Sequence, residues 1–320
     1  MHKNILKESA NSINKATQYL KAGYLVAIKT ETVYGLACDP SNLKSIEKVY
    51  NLKKRPFYNP LIIHVNSIEM ARKIVEVNQL AKKIAEKFWP GPITLILPKR
   101  KNKLIEDLSI SGLDTVAIRI PNSEVFLKTI EKFKKPIAAP SANISGYITS
   151  TNANHVLDSF GKNIELIIDS GKSVFGLEST ILDLTTEKPT IRRQGVITED
   201  EITKKIGVKI KVLDQLFNGE PPISPGQTSR HYSPHTPLKI NLKNPQIDDA
   251  LLNFGENCFD NFKPSLNLSP KGDLYEAAHN LFDYLRKLDK LTKKRIVVVP
   301  IPKKGIGKTI NERLARAAIK

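Results

Sequence analysis

Leu25-Val26-Ala27-Ile28 runs apolar, Lys29-Thr30-Glu31-Thr32 turns polar, and Val33-Tyr34-Gly35-Leu36 opens beyond the turn. A buried strand feeding a functional loop accounts for that order, because a short apolar run bounded by turn chemistry reads as a strand of a covered sheet. Further on, Lys53-Lys54-Arg55-Pro56 and Asn59-Pro60 lead into a second apolar run, Leu61-Ile62-Ile63-His64-Val65. Two strands thus deliver hydroxyls, cations and a histidine. Cations and hydroxyls at strand ends suit an anionic ligand such as a nucleotide in an open α/β sheet, Arg as a planar fork and Lys as a point charge. The same basic triplet also reads as a solvated run that closes a helix.

Working outward, Ser41-Asn42 offers a cap to a helix whose Leu43, Ile46, Val49 and Tyr50 share a face and which ends at Lys53. Ile13, Ala16 and Leu20 mark an earlier packing helix. Helices are expected over 67–75, 79–89, 123–133 and 152–160, and strands over 93–97, 115–120, 136–139 and 166–169. Their alternation implies a largely wound α/β sheet. Residues 179–184 and 190–193 read as a hairpin about Glu187-Lys188-Pro189, and Thr198 caps a further helix.

We expect a first domain over 1–212, a Pro/Gly-rich linker over 213–237 and a smaller Rossmann-like α/β domain over 238–320. In the last, strands near 238–241 and 295–300 alternate with helices over 274–288 and 309–319. Gly305-Ile306-Gly307-Lys308-Thr309 looks like a phosphate loop, but Pro302 stands where the first glycine must be, so the cradle lacks its turn.

The 320 residues carry a formal charge of +18. That charge fits a nucleic-acid partner, yet the lysines are scattered and no RNA-binding or zinc-finger pattern accompanies them. A solubilising surface, attraction of an anionic nucleotide and a weak contact with nucleic acid are each compatible with it. Cys38 and Cys258 form no Cys-x-x-Cys pair, so neither a disulfide framework nor a zinc site is expected, and a reducing cytosol is the plain reading. His231 and His235 have metal-like spacing, but Pro234 interrupts a helix and no Glu follows His231, so no metal ligand set is expected. No apolar run approaches the roughly 18 to 20 residues of a membrane span, and the first residues lack the apolar core of a signal peptide.

Lys29–Leu36 and Lys53–Val65 resemble the signature of the Sua5/YrdC family, the threonylcarbamoyl-AMP synthases of tRNA modification. The likeness continues in order through Phe88-Trp89-Pro90-Gly91-Pro92-Ile93-Thr94, Val116-Ala117-Ile118-Arg119-Ile120-Pro121, Ala139-Pro140-Ser141-Ala142-Asn143-Ile144-Ser145-Gly146, Gly176-Leu177-Glu178-Ser179-Thr180 and Arg192-Arg193-Gln194-Gly195. Arg230-His231-Tyr232-Ser233-Pro234, with Ser224-Pro225-Gly226, resembles the linker of the long, Sua5-type members, which implies a segment lying back over the active site.

The resemblance implies a YrdC-like twisted open sheet and the joining of L-threonine, bicarbonate and ATP into threonylcarbamoyl-AMP and pyrophosphate. That product serves N6-threonylcarbamoyladenosine formation at position 37 of tRNA by a downstream cytoplasmic transferase machinery, with Mg2+ expected on the phosphates. By matched position, Lys53, Arg55, Ser141 and Asn143 are implied in catalysis. Arg55, Asn59, Thr115, Ser141, Thr149, Arg193 and Tyr232, with Lys53 and Asn143, are implied at ATP. Thr32, His64, Arg119, Ser179 and the backbone of Ala139 are implied at L-threonine, Arg119 as a fork on its carboxylate.

Two positions depart from the pattern. Lys29 stands where the family often has Pro, and Ala37 replaces a common Gly, which would crowd the loop if that backbone needed φ > 0. Two other readings stay open: a nucleic-acid-binding module of the same fold without adenylation, and carbamoyl transfer of the hydrogenase-maturation type. The second lacks the paired Cys-x-x-Cys fingers and the additional domains.

Overall fold

The computed structural model describes residues 3–213, 231–242, 244–256, 259, 262, 264–291 and 294–319. Helices begin where short polar side chains cap them: Ser9, Asn42, Ser67, Asn78, Asn152, Thr198 and Asp273 each accept from a first-turn backbone N–H. Each cap satisfies a donor the helix cannot, worth about 1 kcal/mol. Helix Leu43–Lys53 stops because Lys54 turns left-handed at φ 52°, which redirects the chain into Arg55.

The first sheet has the order Ile5–Lys7, Leu166–Asp169, Val26–Lys29, Tyr34–Ala37. Val26–Lys29 and Tyr34–Ala37 form an antiparallel pair, so the stretch that opens the family-like signature is a hairpin around Thr30–Val33. Helix Ala10–Lys21 lays Ile13, Ala16 and Leu20 on this sheet beside Phe126 and Ile130. Each large apolar side chain so buried stabilises by about 1.5–3 kcal/mol.

The central sheet runs Lys211–Val212, Thr190–Arg193, Thr180–Asp183, Ile93–Pro98, Thr115–Arg119, Ile63–His64, Ile137–Ala138. Its pairing is mixed rather than wound. Thr190–Arg193 with Thr180–Asp183, Ile93–Pro98 with Thr115–Arg119, and Ile63–His64 with Ile137–Ala138 are antiparallel. Thr180–Asp183 with Ile93–Pro98 and Ile63–His64 with Thr115–Arg119 are parallel. Alternation of strand and helix along the chain does not say which strands become neighbours, and here the expected hairpin and two further antiparallel pairs break the wound pattern. Ala37 lies in an ordinary buried strand paired with Val26 and needs no positive φ.

The third sheet is parallel throughout, in the order Leu238–Ile240, Arg295–Val298, Asp249–Asn253, Ser265–Asn267. Helices Leu274–Asp289 and Gly307–Ala317 pack against it. Its apolar core also takes in Ile148, Leu177, Val196 and Tyr232 from the segments before it, so the two parts of the chain share one packed interior. Ser224-Pro225-Gly226, Arg230 and Cys258 lie outside the described residues. Among the described residues no helix is long and apolar enough to cross a membrane.

Candidate active site

The first sheet meets the central sheet through the loop that follows Ile137–Ala138. Gly35 bridges to Ser141, the Leu36 N–H donates to Pro140 O, and the Ala142 N–H donates to Tyr34 O. Beneath this seam lies a cavity lined by Thr32, Arg55, His64, Arg119, Ala139, Ser141, Glu178, Ser179, Arg193 and His231, among others. His64 and Arg119 are register partners at the ends of parallel strands, where side chains converge on a ligand.

Eight residues expected from the sequence line this cavity: Thr32, Arg55, His64, Arg119, Ala139, Ser141, Ser179 and Arg193. The Arg55 guanidinium donates to Asn59 O (2.9 Å), Asn59 Oδ1 (2.5 Å) and Pro60 O (2.7 Å), which aims it across the cavity. Burial lowers its pKa to about 10, leaving it charged at neutral pH. Arg193 donates to Ser179 O (2.9 Å) and Ser179 Oγ (3.1 Å), and Ser179 Oγ is 2.7 Å from Thr94 Oγ1. Burial, and then Arg119, lowers the His64 pKa to about 3, so its imidazole is neutral.

Six others do not line the cavity. Lys53 falls on the buried face of its helix, and its ammonium donates to Ser141 O (2.6 Å) and Asn143 O (2.5 Å). It therefore holds the serine loop from beneath instead of facing a ligand. Burial, then Arg55, lowers its pKa well below the lysine range. Asn59 is the rest on which Arg55 lies. Asn143 donates to Ile144 O and Tyr147 O, while its own Oδ1 has no hydrogen-bond partner among the described residues. Thr149 Oγ1 donates to Glu178 Oε1 (2.9 Å).

Thr115 opens the strand that Arg119 ends and pairs with Pro98. It shares Arg119's face of the sheet but stands about 13 Å away along the strand. Tyr232, at φ 63° and fully buried, stacks on Phe282 (centroids 5.3 Å apart) and belongs to the C-terminal core. Its neighbour His231 is, among the described residues, the one of the linker that lines the cavity.

Three site residues escape sequence reasoning. Glu31 forms an ion pair with Arg119 (2.5 Å), and both side chains are 4% exposed. Arg119 also donates to Thr32 Oγ1 (3.1 Å) and Gly91 O (3.0 Å), so its fork is oriented before any ligand arrives. Glu178 is the second buried carboxylate and His231 the third miss; burial lowers the His231 pKa to about 3. The available signal was the cost of burying a charge: an acidic residue inside a motif rich in apolar positions requires a partner elsewhere in the chain.

Gly195 packs flat on the Glu178–Thr180 backbone. A Cβ there would stand 2.3 Å from Thr180 N and 2.4 Å from Ser179 C. In the segment that looks like a phosphate loop, Thr309 Oγ1 donates to Gly195 O (2.9 Å), so the hydroxyl is taken up by packing.

A family model described as telomere recombination matches residues 18–195, and one described as the threonylcarbamoyl-AMP synthase C-terminal domain matches residues 197–319. The threonylcarbamoyl-AMP synthase of Pyrococcus abyssi is 36% identical, over 96% of this chain and 94% of its own length. That of Bacillus subtilis is 35% identical, over 96% and 92%. The crystal structure of P. abyssi Sua5 complexed with L-threonine superposes with a TM-score of 0.89 at 34% identity, covering 98% of this chain and 96% of that one.

Proposed function

The chain belongs to the Sua5/YciO/YrdC family, with the C-terminal domain of its threonylcarbamoyl-AMP synthases, and from that premise we propose that it makes threonylcarbamoyl-AMP. The substrates are L-threonine, bicarbonate and ATP, and the product supplies the cytoplasmic transfer of the threonylcarbamoyl group to adenosine 37 of tRNA. The observation that carries the reading is one cavity holding three arginines, Arg55, Arg119 and Arg193, with the hydroxyls of Thr32, Ser141 and Ser179.

The amine of threonine adds to CO2 from bicarbonate, giving a carbamate. A carbamate oxygen attacks the α-phosphorus in line, the new P–O bond forms, and the bond to the β-phosphate oxygen breaks to release pyrophosphate. No covalent enzyme intermediate is needed, so catalysis is positioning and stabilisation of charge on phosphate oxygens.

Arg55 and Arg193 take the phosphate charge, and Ser141 donates beside them. Lys53 and Asn59 hold the groups that do so, and the spare Oδ1 of Asn143 stands next to that loop. Arg119, oriented by Glu31, takes the threonine carboxylate, with Thr32, Ser179 and the Ala139 backbone around its hydroxyl end. The neutral His64 adds no charge where a cationic guanidinium already serves. Thr149 and Tyr232 support the wall, and Thr115 lies outside the cavity lining.

Mg2+ does not fit as a protein-bound ion. The described residues offer no cluster of three His, Cys, Asp or Glu, and the buried carboxylates Glu31 and Glu178 are both bound to arginines. Phosphate oxygens would carry it. Purified protein should release pyrophosphate only when L-threonine, bicarbonate and ATP are all present. ATP turnover indifferent to threonine would remove this reading, and salt-sensitive tRNA binding without adenylate would put a binding module in its place.

A further inference from the structure

Arg313 lies in the C-terminal helix Gly307–Ala317, far along the chain from the cavity, and its side chain has no exposed surface. Its Nε donates to Glu178 Oε2 (3.0 Å) and its Nη2 to Gln194 O (2.7 Å), while the guanidinium lies over the Tyr232 ring (4.9 Å). Each of these three partners immediately adjoins a residue that lines the cavity: Ser179 after Glu178, Arg193 before Gln194, His231 before Tyr232. The nearby Arg286 donates to Ile148 O (2.5 Å) and Thr149 O (3.3 Å), bracing the segment whose Thr149 holds the other oxygen of Glu178.

We propose that Arg313 is a positioning residue for the pyrophosphate-releasing reaction: one guanidinium from the C-terminal domain fixes together the three segments that carry Ser179, Arg193 and His231. The site is then completed across the domain boundary. The inference rests on the proposed function and adds to it a task for the C-terminal domain.

Charge gives the pairing a second consequence. Glu178 faces a cavity that must admit a polyanion, and its surroundings are Arg313 from the helix, Arg193 from the central sheet, His231 from the linker and Thr149 from its own side. Glu312, next along the helix, forms ion pairs with both Arg313 and Arg316. Burial alone would raise the Glu178 carboxyl, but Arg313 and then Arg193 more than offset it and hold it at about 2. Without Arg313 the carboxylate is left repelling phosphate, and its pKa rises toward the working range.

The experiment uses the full chain and steady-state pyrophosphate release across pH 6 to 8.5, with folding checked by thermal melting. Arg313→Met should lower kcat about 100-fold, as small misplacements of reacting groups do. It should raise KM for ATP about tenfold, with the KM deficit shrinking toward low pH as Glu178 gains its proton. KM for L-threonine should move less, because Arg119 and Thr32 belong to other segments. Arg313→Lys, which keeps charge but loses the fork, should fall between.

Arg313→Met with Glu178→Gln removes both charges of the buried pair while Glu312 keeps Arg316, so it tests the inference even where the single change fails to fold. It should lose the pH dependence while kcat stays about tenfold low. A folded single or double variant with wild-type kcat, KM and pH profile overturns the inference. A wild-type protein that fails to release pyrophosphate removes the proposed function and this inference with it.

Discussion

The cavity has two walls, and each contains a buried carboxylate bound to a buried arginine. On one wall Glu31 orients Arg119, and that arginine lines the cavity. On the other, Glu178 lines the cavity and Arg313 stands behind it. The same pair thus works in opposite senses, presenting a cation on one wall and cancelling an anion on the other. The difference shows why buried ion pairs are poor guides to stability and good guides to geometry: their net energy is small, while the orientation they impose is strict. Between the walls stands Arg55, held by Asn59 and backbone carbonyls without a carboxylate.

If the charge that matters most is the one neither pair absorbs, Arg55→Ala should have the largest effect, a loss of about 100- to 1,000-fold in kcat for pyrophosphate release. Retention within tenfold would shift the weight of catalysis to Arg193 and break the comparison. Glu31→Gln tests the first wall. It keeps the shape but loosens Arg119, and should raise KM for L-threonine about tenfold with KM for ATP within about twofold. Equal shifts in both constants would mean the walls do not divide the substrates.

The smallest effect sharpens the comparison through pH. Each wall keeps a histidine neutral, His64 beside Arg119 and His231 beside Glu178, both with pKa lowered to about 3. A base whose folded pKa lies below its unfolded value binds more protons when unfolded. Stability is therefore full above about pH 6.5 and falls as pH drops toward 3. For His64, wholly buried, the loss at pH 5 is up to about 2 kcal/mol, with less from the half-buried His231. Urea unfolding at pH 7 and 5 measures it, and His64→Gln should remove most of the difference; a flat profile contradicts the neutral assignment.

Much of this is written in the sequence, and what is hidden follows a pattern. The pair Thr180–Asp183 and Thr190–Arg193 is legible because β-rich runs flank a turn of Glu, Lys and Pro. Ile5–Lys7, Asp249–Asn253 and Ser265–Asn267 are not, since such short strands exist only through the neighbours they pair with. The basic triplet advertises its charges but not their directions. One left-handed residue, Lys54, separates a lysine that points into the protein from an arginine that points into the cavity. Arg313 gives no local sign at all, sitting in an amphipathic helix whose pattern promises only packing.

Gly195 carries a last consequence. It supplies no side chain and does not line the cavity, yet its bare α-carbon is the room in which the Glu178–Thr180 backbone lies. What matters at that position is an absence: every replacement, alanine included, thickens the partition by a methyl group or more and displaces the residues on its other side. A catalogue of chemically able side chains would pass over so narrow a tolerance, which belongs to a residue with nothing to react.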